Sequence, residues 1–237
     1  MSFLQKLFFW GKNFFFPSAC ALCSCSLFDI ADIKYALCSP CRISIVNIQK
    51  NNCAVCGKPL ISENKTCIPC RSKTENFYER LWVLYPYNGK YRKLLAMYKF
   101  IKNLALAVFF IEKILEIIKN NPVLKEAAII PVPPRPGKIK HSGWDQIDYL
   151  VKRLKKTSAC IQVSSCLKRK KSKVQKYLNR TERLENLKGR IYTHGAVPKI
   201  ALIIDDVITT GSTIEVCAKV LKQAGAEKVY ALCLFYD

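Results

Sequence analysis

The sequence has few acidic residues for its length. It contains 17 Asp and Glu against 39 Lys and Arg, which gives a formal net charge of +22 at pH 7. This charge is far larger than solubility requires. It attracts phosphates, nucleic acid or anionic lipid, but it does not choose among them.

Long hydrophobic runs are also missing. The longest one after the N-terminus, residues 104–111, is far shorter than the roughly 20 residues that a membrane-spanning helix needs. Lys6 and Lys12 interrupt the aromatic N-terminus before the apolar core of a secretory signal can form. We therefore expect no transmembrane segment and a cytoplasmic location. The aromatic residues of segment 1–16 either pack on their own domain, which we favour, or lie on a membrane surface.

Histidine is scarce, and the composition is not that of a disordered chain. The two histidines, His141 and His194, have no metal-binding spacing and are expected at the surface. Half of the residues are hydrophobic and 24% are charged, which excludes wholesale disorder. The 237 residues, at about 150 per domain, favour two modest domains.

Cysteine is concentrated at one end of the chain. Nine of the 13 cysteines lie in the first seventy residues, and eight of these form four C-x-x-C pairs. Two such turns supply the four thiolates of a tetrahedral structural zinc, so four turns predict two zinc ions. The predicted ligands are Cys20, Cys23, Cys38, Cys41, Cys53, Cys56, Cys67 and Cys70. Cys25 lies outside the pairs and is expected to be unligated.

Two other interpretations of the cysteine array remain open at this point. Disulfides are disfavoured because cytosolic thiols stay reduced. An iron–sulfur centre would use the same ligands and would colour the purified protein brown. A structural zinc with four sulfur ligands has no open position for chemistry, so the first seventy residues are expected to form a scaffold or docking surface.

The remainder of the chain has the pattern of a parallel α/β sheet. Apolar runs predict strands over residues 81–87, 127–132, 200–207 and 228–235. Helical periodicity predicts one broken helix or two successive helices over 91–120, and further helices over 144–154 and 213–223. The strand, helix, strand order is typical of parallel sheets. We place a double zinc ribbon domain at residues 1–75 and the α/β domain at residues 76–237.

Residues 201–213 are the most informative stretch. An apolar strand brings Asp205 and Asp206 to its C-terminal edge, where open α/β sheets bind ligands. The following loop, rich in Thr, Ser and Gly, opens a helix whose backbone N–H groups can hold an anion. This arrangement favours a sugar phosphate, with the carboxylates accepting from ribose hydroxyls. The simpler alternative is a pair of ordinary strand-end residues followed by a Ser/Thr helix cap.

Two levels of resemblance follow from these motifs. Residues 205–213 resemble the phosphoribosyl pyrophosphate (PRPP) signature of type I phosphoribosyltransferases. The whole chain resembles the competence-associated ComF family. That likeness rests on the paired C-x-x-C turns, Pro131-Val132-Pro133, Gly143-Trp144-Asp145-Gln146, then Gln175, Leu178, Glu182-Arg183, Asn186 and Gly189, and finally the PRPP motif.

The resemblance implies a type I phosphoribosyltransferase-like sheet flanked by helices, with a small N-terminal zinc-ribbon domain. It implies that Asp205 and Asp206 hold the ribose hydroxyls as the candidate catalytic pair. The implied 5′-phosphate site is Thr209, Thr210, Gly211, Ser212 and Thr213, and the implied pyrophosphate loop and lid contain Arg135, Lys168, Arg169, Lys170 and Gln175. The function implied is Mg²⁺-dependent transfer of the phosphoribosyl group from PRPP to an unknown acceptor, with release of pyrophosphate. The implied ligand is PRPP or a related sugar phosphate.

Some positions depart from the family pattern. Ser142 stands where the family often has arginine, and Trp144-Asp145 replaces the usual Phe-Asn. Lys168 and Ser172 replace an arginine and a threonine of the lid. A lysine can serve a phosphate as a point charge, but it lacks the two-pronged geometry of arginine.

A strongly basic stretch precedes the PRPP motif. Residues 152–190 contain fourteen Lys and Arg against two Glu, a net charge of +12. One interpretation is a lid that neutralises the leaving pyrophosphate. Another is a groove for single-stranded nucleic acid in which Tyr177 and Tyr192 stack on bases, and the third is a solvated surface. The family resemblance implies a non-catalytic alternative, in which the protein handles single-stranded DNA alongside competence proteins during DNA uptake.

Overall fold

A computed structural model describes residues 18–45, 52–72, 76–170 and 189–237. Gln175, Tyr177 and the rest of the lid beyond Lys170 lie outside the described residues, as does segment 1–16. The described residues form two compact units. One contains residues up to 45 and residues 88–113, and the other contains residues 52–87 and 114–237. The domain boundary after residue 75 stays a prediction.

The chain forms short elements up to residue 72 and longer ones afterwards. In chain order they are β1 (Ser18–Ala19), β2 (Ser26–Leu27), α1 (Ile30–Tyr35), α2 (Ser39–Ser44), α3 (Ile68–Arg71), β3 (Arg80–Pro86), α4 (Gly89–Lys99), α5 (Leu106–Asn120), a 3-10 turn (Pro122–Lys125), β4 (Ala128–Pro131), α6 (Lys138–Ser142), α7 (Gln146–Thr157), β5 (Leu167–Arg169), β6 (Ile191–Thr193), β7 (Ile200–Ile208), α8 (Ser212–Gln223) and β8 (Lys228–Tyr236).

The first unit contains the first cysteine cluster with the short helices α1 and α2, together with α4 and the beginning of α5. The β1–β2 hairpin carries the first C-x-x-C turn, and the Asp29 carboxylate caps the start of α1 by accepting from two backbone N–H groups. In α4, Leu94, Leu95 and Tyr98 are buried at helical spacing. The Tyr98 ring meets Phe110 edge to face at 5.4 Å. The expected helical stretch is therefore two successive helices, α4 and α5.

The second unit is built on a four-stranded sheet in the order β3-β8-β7-β4, with every neighbouring pair parallel. The predicted α/β class is confirmed, and each of the four predicted strands is present. The sequences of these strands are continuous apolar runs because parallel strands are covered on both faces. Val163 adds a single parallel bridge beside Ile129 at the outer edge of β4.

The two faces of the sheet carry different elements. Side chains alternate along β7. Ala201 and Ile203 share one hydrophobic cluster with residues of α8 and of the antiparallel β5–β6 hairpin, namely Cys217, Ala218, Leu221, Leu167 and Ile191. Helix α7 packs against β4 and β7, and its first residue contacts the opposite face of β7. The carboxyl ends of β4 and β7 lie side by side, with covering elements on both faces.

The second cysteine turn packs directly on strand β3. The backbone N–H of Leu81 donates to the carbonyl of Val55 at 2.8 Å. Gly57 lies so close to the strand that an added Cβ would stand 2.9 Å from the Leu81 carbonyl oxygen and from Val83 Cγ2. Its φ of +69° also favours glycine. The C-x-x-C-G turn is thus fixed to the sheet by backbone contact.

Among the described residues, no helix combines the length and the apolar character required to cross a bilayer.

Candidate functional site

The end of strand β7 presents two carboxylates to opposite faces of the sheet. Asp205 is half-buried on the face that carries α8, and Asp206 is buried on the face that carries α7. Each carboxylate also accepts from the backbone N–H of the next residue at 2.8 Å. The loop of residues 209–211 then leads into α8. The pair is therefore held rigidly at the carboxyl edge, where the resemblance places the ribose hydroxyls.

Asp206 is one end of a buried polar network. The Gln146 side-chain amide donates to the Asp206 carboxylate, and its carbonyl oxygen accepts from Lys138 Nζ. Lys138 Nζ also pairs with the Asp145 carboxylate at 2.5 Å. The other oxygen of Asp145 caps α7 by accepting from the N–H groups of Ile147 and Asp148. Because Asp145, Gln146 and Asp206 are all buried, each needs such partners to avoid the cost of an unpaired polar group.

Asp205 interacts electrostatically with Arg169, which has two further arginines as neighbours. Burial lowers the pKa of Arg169, the positive charge of Arg135 lowers it further, and Asp205 acts in the opposite direction. Arg190 is a further positive neighbour. The Nε atom of Arg169 is buried and has no hydrogen-bond partner among the described residues. Three arginines against one carboxylate leave a local excess of positive charge that an anion would neutralise.

The loop before α8 has the geometry of an anion-binding turn. Gly211 is the N-cap residue with φ +76°, and no side chain caps the helix. The Thr210 and Ser212 hydroxyls lie 2.9 Å apart and hydrogen-bond to each other. The N–H of Ser212 makes one long contact, 3.5 Å, to the Thr210 hydroxyl, and Gly211 has no side chain to cap the helix, which suits a phosphate at this end of a 12-residue helix.

The β5–β6 hairpin divides the basic segment between two surfaces. Lys168 and Lys170 are exposed, whereas Arg169 between them is half-buried toward the sheet. Tyr192 lies opposite Lys168 in the pairing and is 41% exposed, and the Lys170 ammonium stands 5.4 Å from the centre of its ring. One face of the hairpin thus supplies the arginine beside Asp205, and the other is a basic aromatic surface open to solvent.

The four cysteines of the second cluster fit a structural zinc. The sulfur atoms of Cys53, Cys56, Cys67 and Cys70 lie within 4.8 Å of one another. The backbone N–H of Cys67 donates to the Cys53 sulfur at 3.4 Å. Burial raises the pKa of Cys53, but N–H groups donated to its sulfur outweigh burial and lower the pKa to about 7. Four converging sulfurs, one of them favoured as a thiolate, are the donor set that Zn²⁺ takes in a closed site.

The first cluster has the same construction with one sulfur more. Cys20, Cys23, Cys25 and Cys38 have sulfurs within 4.8 Å of one another. The Cys41 thiol interacts with those of Cys38, Cys23 and Cys20. Here too a backbone N–H, that of Cys38, donates to the first cysteine's sulfur at 3.4 Å. None of the 13 cysteines, all of which lie within the described ranges, forms a disulfide.

The expected site residues are therefore brought together in part. Asp205, Asp206, the loop before α8 and Arg169 meet at one edge of the sheet, and Arg135 acts on Arg169 electrostatically. Lys168 and Lys170 point to solvent. No sequence pattern indicated a role for Lys138, and Gln146 stood out only as part of a motif. The signal for Asp145 was readable, since an Asp directly before an amphipathic helix is a typical N-cap.

The fold and the cysteine clusters define an α/β protein with an N-terminal double zinc ribbon. Residues 12–71 match the family model described as double zinc ribbon domain, so the predicted ribbon is confirmed.

Comparison with known proteins extends the match beyond the ribbon. Competence protein ComFC of Streptococcus pneumoniae is 28% identical over 220 residues, which cover 88% of this chain and 91% of that protein. The DNA utilization protein YhgH of Escherichia coli is 27% identical over 224 residues, 92% and 96% of the two chains. Competence protein F of Haemophilus influenzae is 28% identical over 225 residues, 91% and 95%. The resemblance to the ComF family is confirmed over most of the chain.

Proposed function

We propose that the α/β unit binds PRPP, or a related sugar phosphate, together with Mg²⁺ at the carboxyl edge of β4 and β7. The observation that carries the proposal is the buried Nε of Arg169 beside Asp205; this Nε has no hydrogen-bond partner within the described part of the chain, and Arg169 has Arg135 and Arg190 as positive neighbours. The half-buried charge of Arg169 is costly beside these like charges without a counter-ion. A pyrophosphate group supplies the negative charge that this cluster lacks.

Each part of the ligand has a counterpart at this edge. The loop Thr209, Thr210, Gly211, Ser212 and Thr213 holds the 5′-phosphate at the start of α8, and Asp205 and Asp206 accept from the ribose hydroxyls. Arg135 and Arg169 contact the pyrophosphate, and Lys168, Lys170 and Gln175 belong to the lid. When bound with the ligand, Mg²⁺ would supply positive charge to offset that of the departing pyrophosphate.

The candidate reaction is phosphoribosyl transfer. The bond from the ribose C1 to the pyrophosphate oxygen breaks, a bond from C1 to the acceptor forms, and the acceptor loses a proton. Positioning and electrostatic stabilisation by the arginines and carboxylates are the contributions this chain makes.

Ligand stabilisation tests the binding proposal. A ligand that binds only the folded state stabilises it by mass action, by about 2.7 kcal/mol at 100 times its Kd. This stabilisation raises the melting temperature. Zinc-loaded protein with PRPP and Mg²⁺ should therefore melt at a higher temperature, whereas Asp205→Asn/Asp206→Asn should not respond. Equal shifts in both proteins would contradict the site.

A second candidate function is handling of single-stranded DNA without catalysis. The outer face of the hairpin, Lys168, Lys170 and Tyr192, supports it, because a positive surface with a stacking ring suits single strands. The names competence protein and DNA utilization protein carried by relatives also support it. In this proposal the protein acts with competence proteins in the cytoplasm. Zinc-binding thiolates stay reduced in that compartment.

The hairpin allows the two functions to be separated. Lys168→Ala/Lys170→Ala/Tyr192→Ala should weaken salt-dependent binding of a labelled single strand, measured by fluorescence anisotropy, and should reduce its salt slope. Arg169→Ala is the matched control and should leave DNA binding nearly unchanged. Unchanged DNA affinity in the triple variant would exclude this surface.

A further inference from the structure

The two cysteine clusters differ by one thiol. In the second cluster, four sulfurs converge. In the first, the converging group contains Cys25 in addition to three of the predicted ligands. The Cys41 thiol interacts with those same three, Cys20, Cys23 and Cys38. The first cluster therefore offers five thiols to an ion that takes four.

The C-x-x-C turns that open the two clusters have the same backbone construction. The N–H of Cys20 donates to the Cys25 carbonyl at 2.8 Å, and the N–H of Cys53 donates to the Lys58 carbonyl at 2.8 Å. The residue before each acceptor is left-handed, Ser24 with φ +65° and Gly57 with φ +69°. Cys25 and Lys58 are thus equivalent positions. The second turn is a natural reference without the extra thiol.

The side chain at this position decides how many sulfurs the turn supplies. The left-handed residue reverses the chain after the second cysteine, and in the first cluster this brings the Cys25 sulfur within 4.8 Å of the other three. A non-glycine residue in this conformation is disfavoured, because its Cβ crowds the following carbonyl oxygen. Ser24 accepts that cost at an exposed position, whereas Gly57 avoids it.

We propose that Cys25 is a zinc ligand of the first cluster and that it alternates with Cys41 at the fourth coordination position. Cys20, Cys23 and Cys38 belong to both ligand sets and hold the ion throughout. Zinc is tetrahedral in such sites, so only one of the two alternates binds at a time. When they exchange, the incoming thiol loses a proton and the outgoing thiolate gains one, so the charge of the site is unchanged.

Zinc content of cysteine variants tests the exchange. Native mass spectrometry of the full chain should find two zinc ions in the wild type, and also in Cys25→Ser and in Cys41→Ser, because each thiol replaces the other. Cys25→Ser/Cys41→Ser should retain one. Cys70→Ser has no reserve thiol in its cluster and should also retain one, which makes it the matched reference. Cys160→Ser, an exposed cysteine outside both clusters, should retain two.

Loss of one zinc ion from Cys41→Ser alone would overturn the proposal, because Cys25 would then be a bystander. Loss from Cys25→Ser alone would also overturn it, because Cys25 would then be a fixed ligand. In the variants of Cys25 and Cys41, the zinc ion of the second cluster reports that this cluster remains folded.

Alkylation gives a second readout that does not depend on the variants. In zinc-loaded wild type, N-ethylmaleimide should modify Cys25 in some molecules and Cys41 in others, and never both while two zinc ions are retained. Complete modification of one with complete protection of the other would contradict alternation.

Discussion

The side-chain amide of Gln146, at the start of α7, donates a hydrogen bond to the buried carboxylate of Asp206, at the end of β7. The two residues are 60 positions apart in the sequence. Lys138 donates to the Gln146 carbonyl oxygen, which fixes the direction of the amide. The Gly-Trp-Asp-Gln segment and the strand-end carboxylate therefore form one structural unit at the candidate site.

Removing Gln146 should destabilise the protein and loosen Asp206. In Gln146→Ala a buried carboxylate oxygen loses its amide donor, which costs about 1–3 kcal/mol. Urea unfolding of zinc-loaded protein measures this. Gln162→Ala, at an exposed position, is the control and should change stability by less than about 0.5 kcal/mol. If both variants unfold alike, the bond does not hold Asp206 in place.

The Arg169 side chain should lower the free energy of unfolding of the ligand-free protein and increase its affinity for pyrophosphate. Arg169→Met removes a half-buried charge whose Nε has no partner among the described residues, so the ligand-free protein should be as stable as the wild type or more stable. Its affinity for pyrophosphate should fall about tenfold or more, in line with the loss of a charge-assisted contact. Paired denaturation and calorimetric titration give both values. Reduced stability with unchanged affinity would assign Arg169 a purely structural role.

The close contact at Gly57 should make this position more sensitive to alanine substitution than other glycines with a left-handed backbone. Gly57→Ala adds a Cβ 2.9 Å from the Leu81 carbonyl oxygen, whereas Gly195, with φ +81°, has nothing within 4 Å. Gly195→Ala should cost about 1–2 kcal/mol from the backbone alone. Gly57→Ala should cost about 1–3 kcal/mol more, from overpacking against β3. Equal losses of unfolding free energy in urea would show that the second cysteine turn does not pack tightly against β3.

Zinc removal should unfold the ribbons and spare the sheet. A strong chelator takes away the metal that holds four thiolates together, and this binding free energy is also folding free energy. Hydrogen exchange should accelerate in residues 18–45 and 52–72, while β7 and β8 remain protected. The change should reverse when zinc is restored. Unaltered exchange in both cysteine clusters after metal removal would contradict a structural role for zinc.

The sequence predicted the local elements well because their signals are local. The runs that became β7 and β8 are continuously apolar, as buried parallel strands are, and the ends of α8 lie within one residue of the expected range. The network around Asp206 was not predictable in this way. Lys138, Gln146 and Asp206 come from three separate segments, and only the packing of α7 against β7 brings them together.

The position of the Cys25 sulfur was not predictable for a related reason. Counting C-x-x-C pairs leaves it over, but the left-handed backbone at Ser24 returns it to the cluster. A serine gives little warning of that conformation, whereas Gly57 at the equivalent position is the usual signal. Pair spacing predicts which turns bind a metal, and the backbone at one residue decides which further sulfur lies beside them.

The most direct test of the central claim is isothermal titration of zinc-loaded protein with PRPP, with and without Mg²⁺, alongside Asp205→Asn/Asp206→Asn. A site built from these carboxylates, the loop before α8 and Arg169 predicts saturable, Mg²⁺-dependent binding that the double variant loses. Absence of binding by a folded, zinc-loaded wild type would contradict it. Binding that the double variant retains would place the ligand elsewhere.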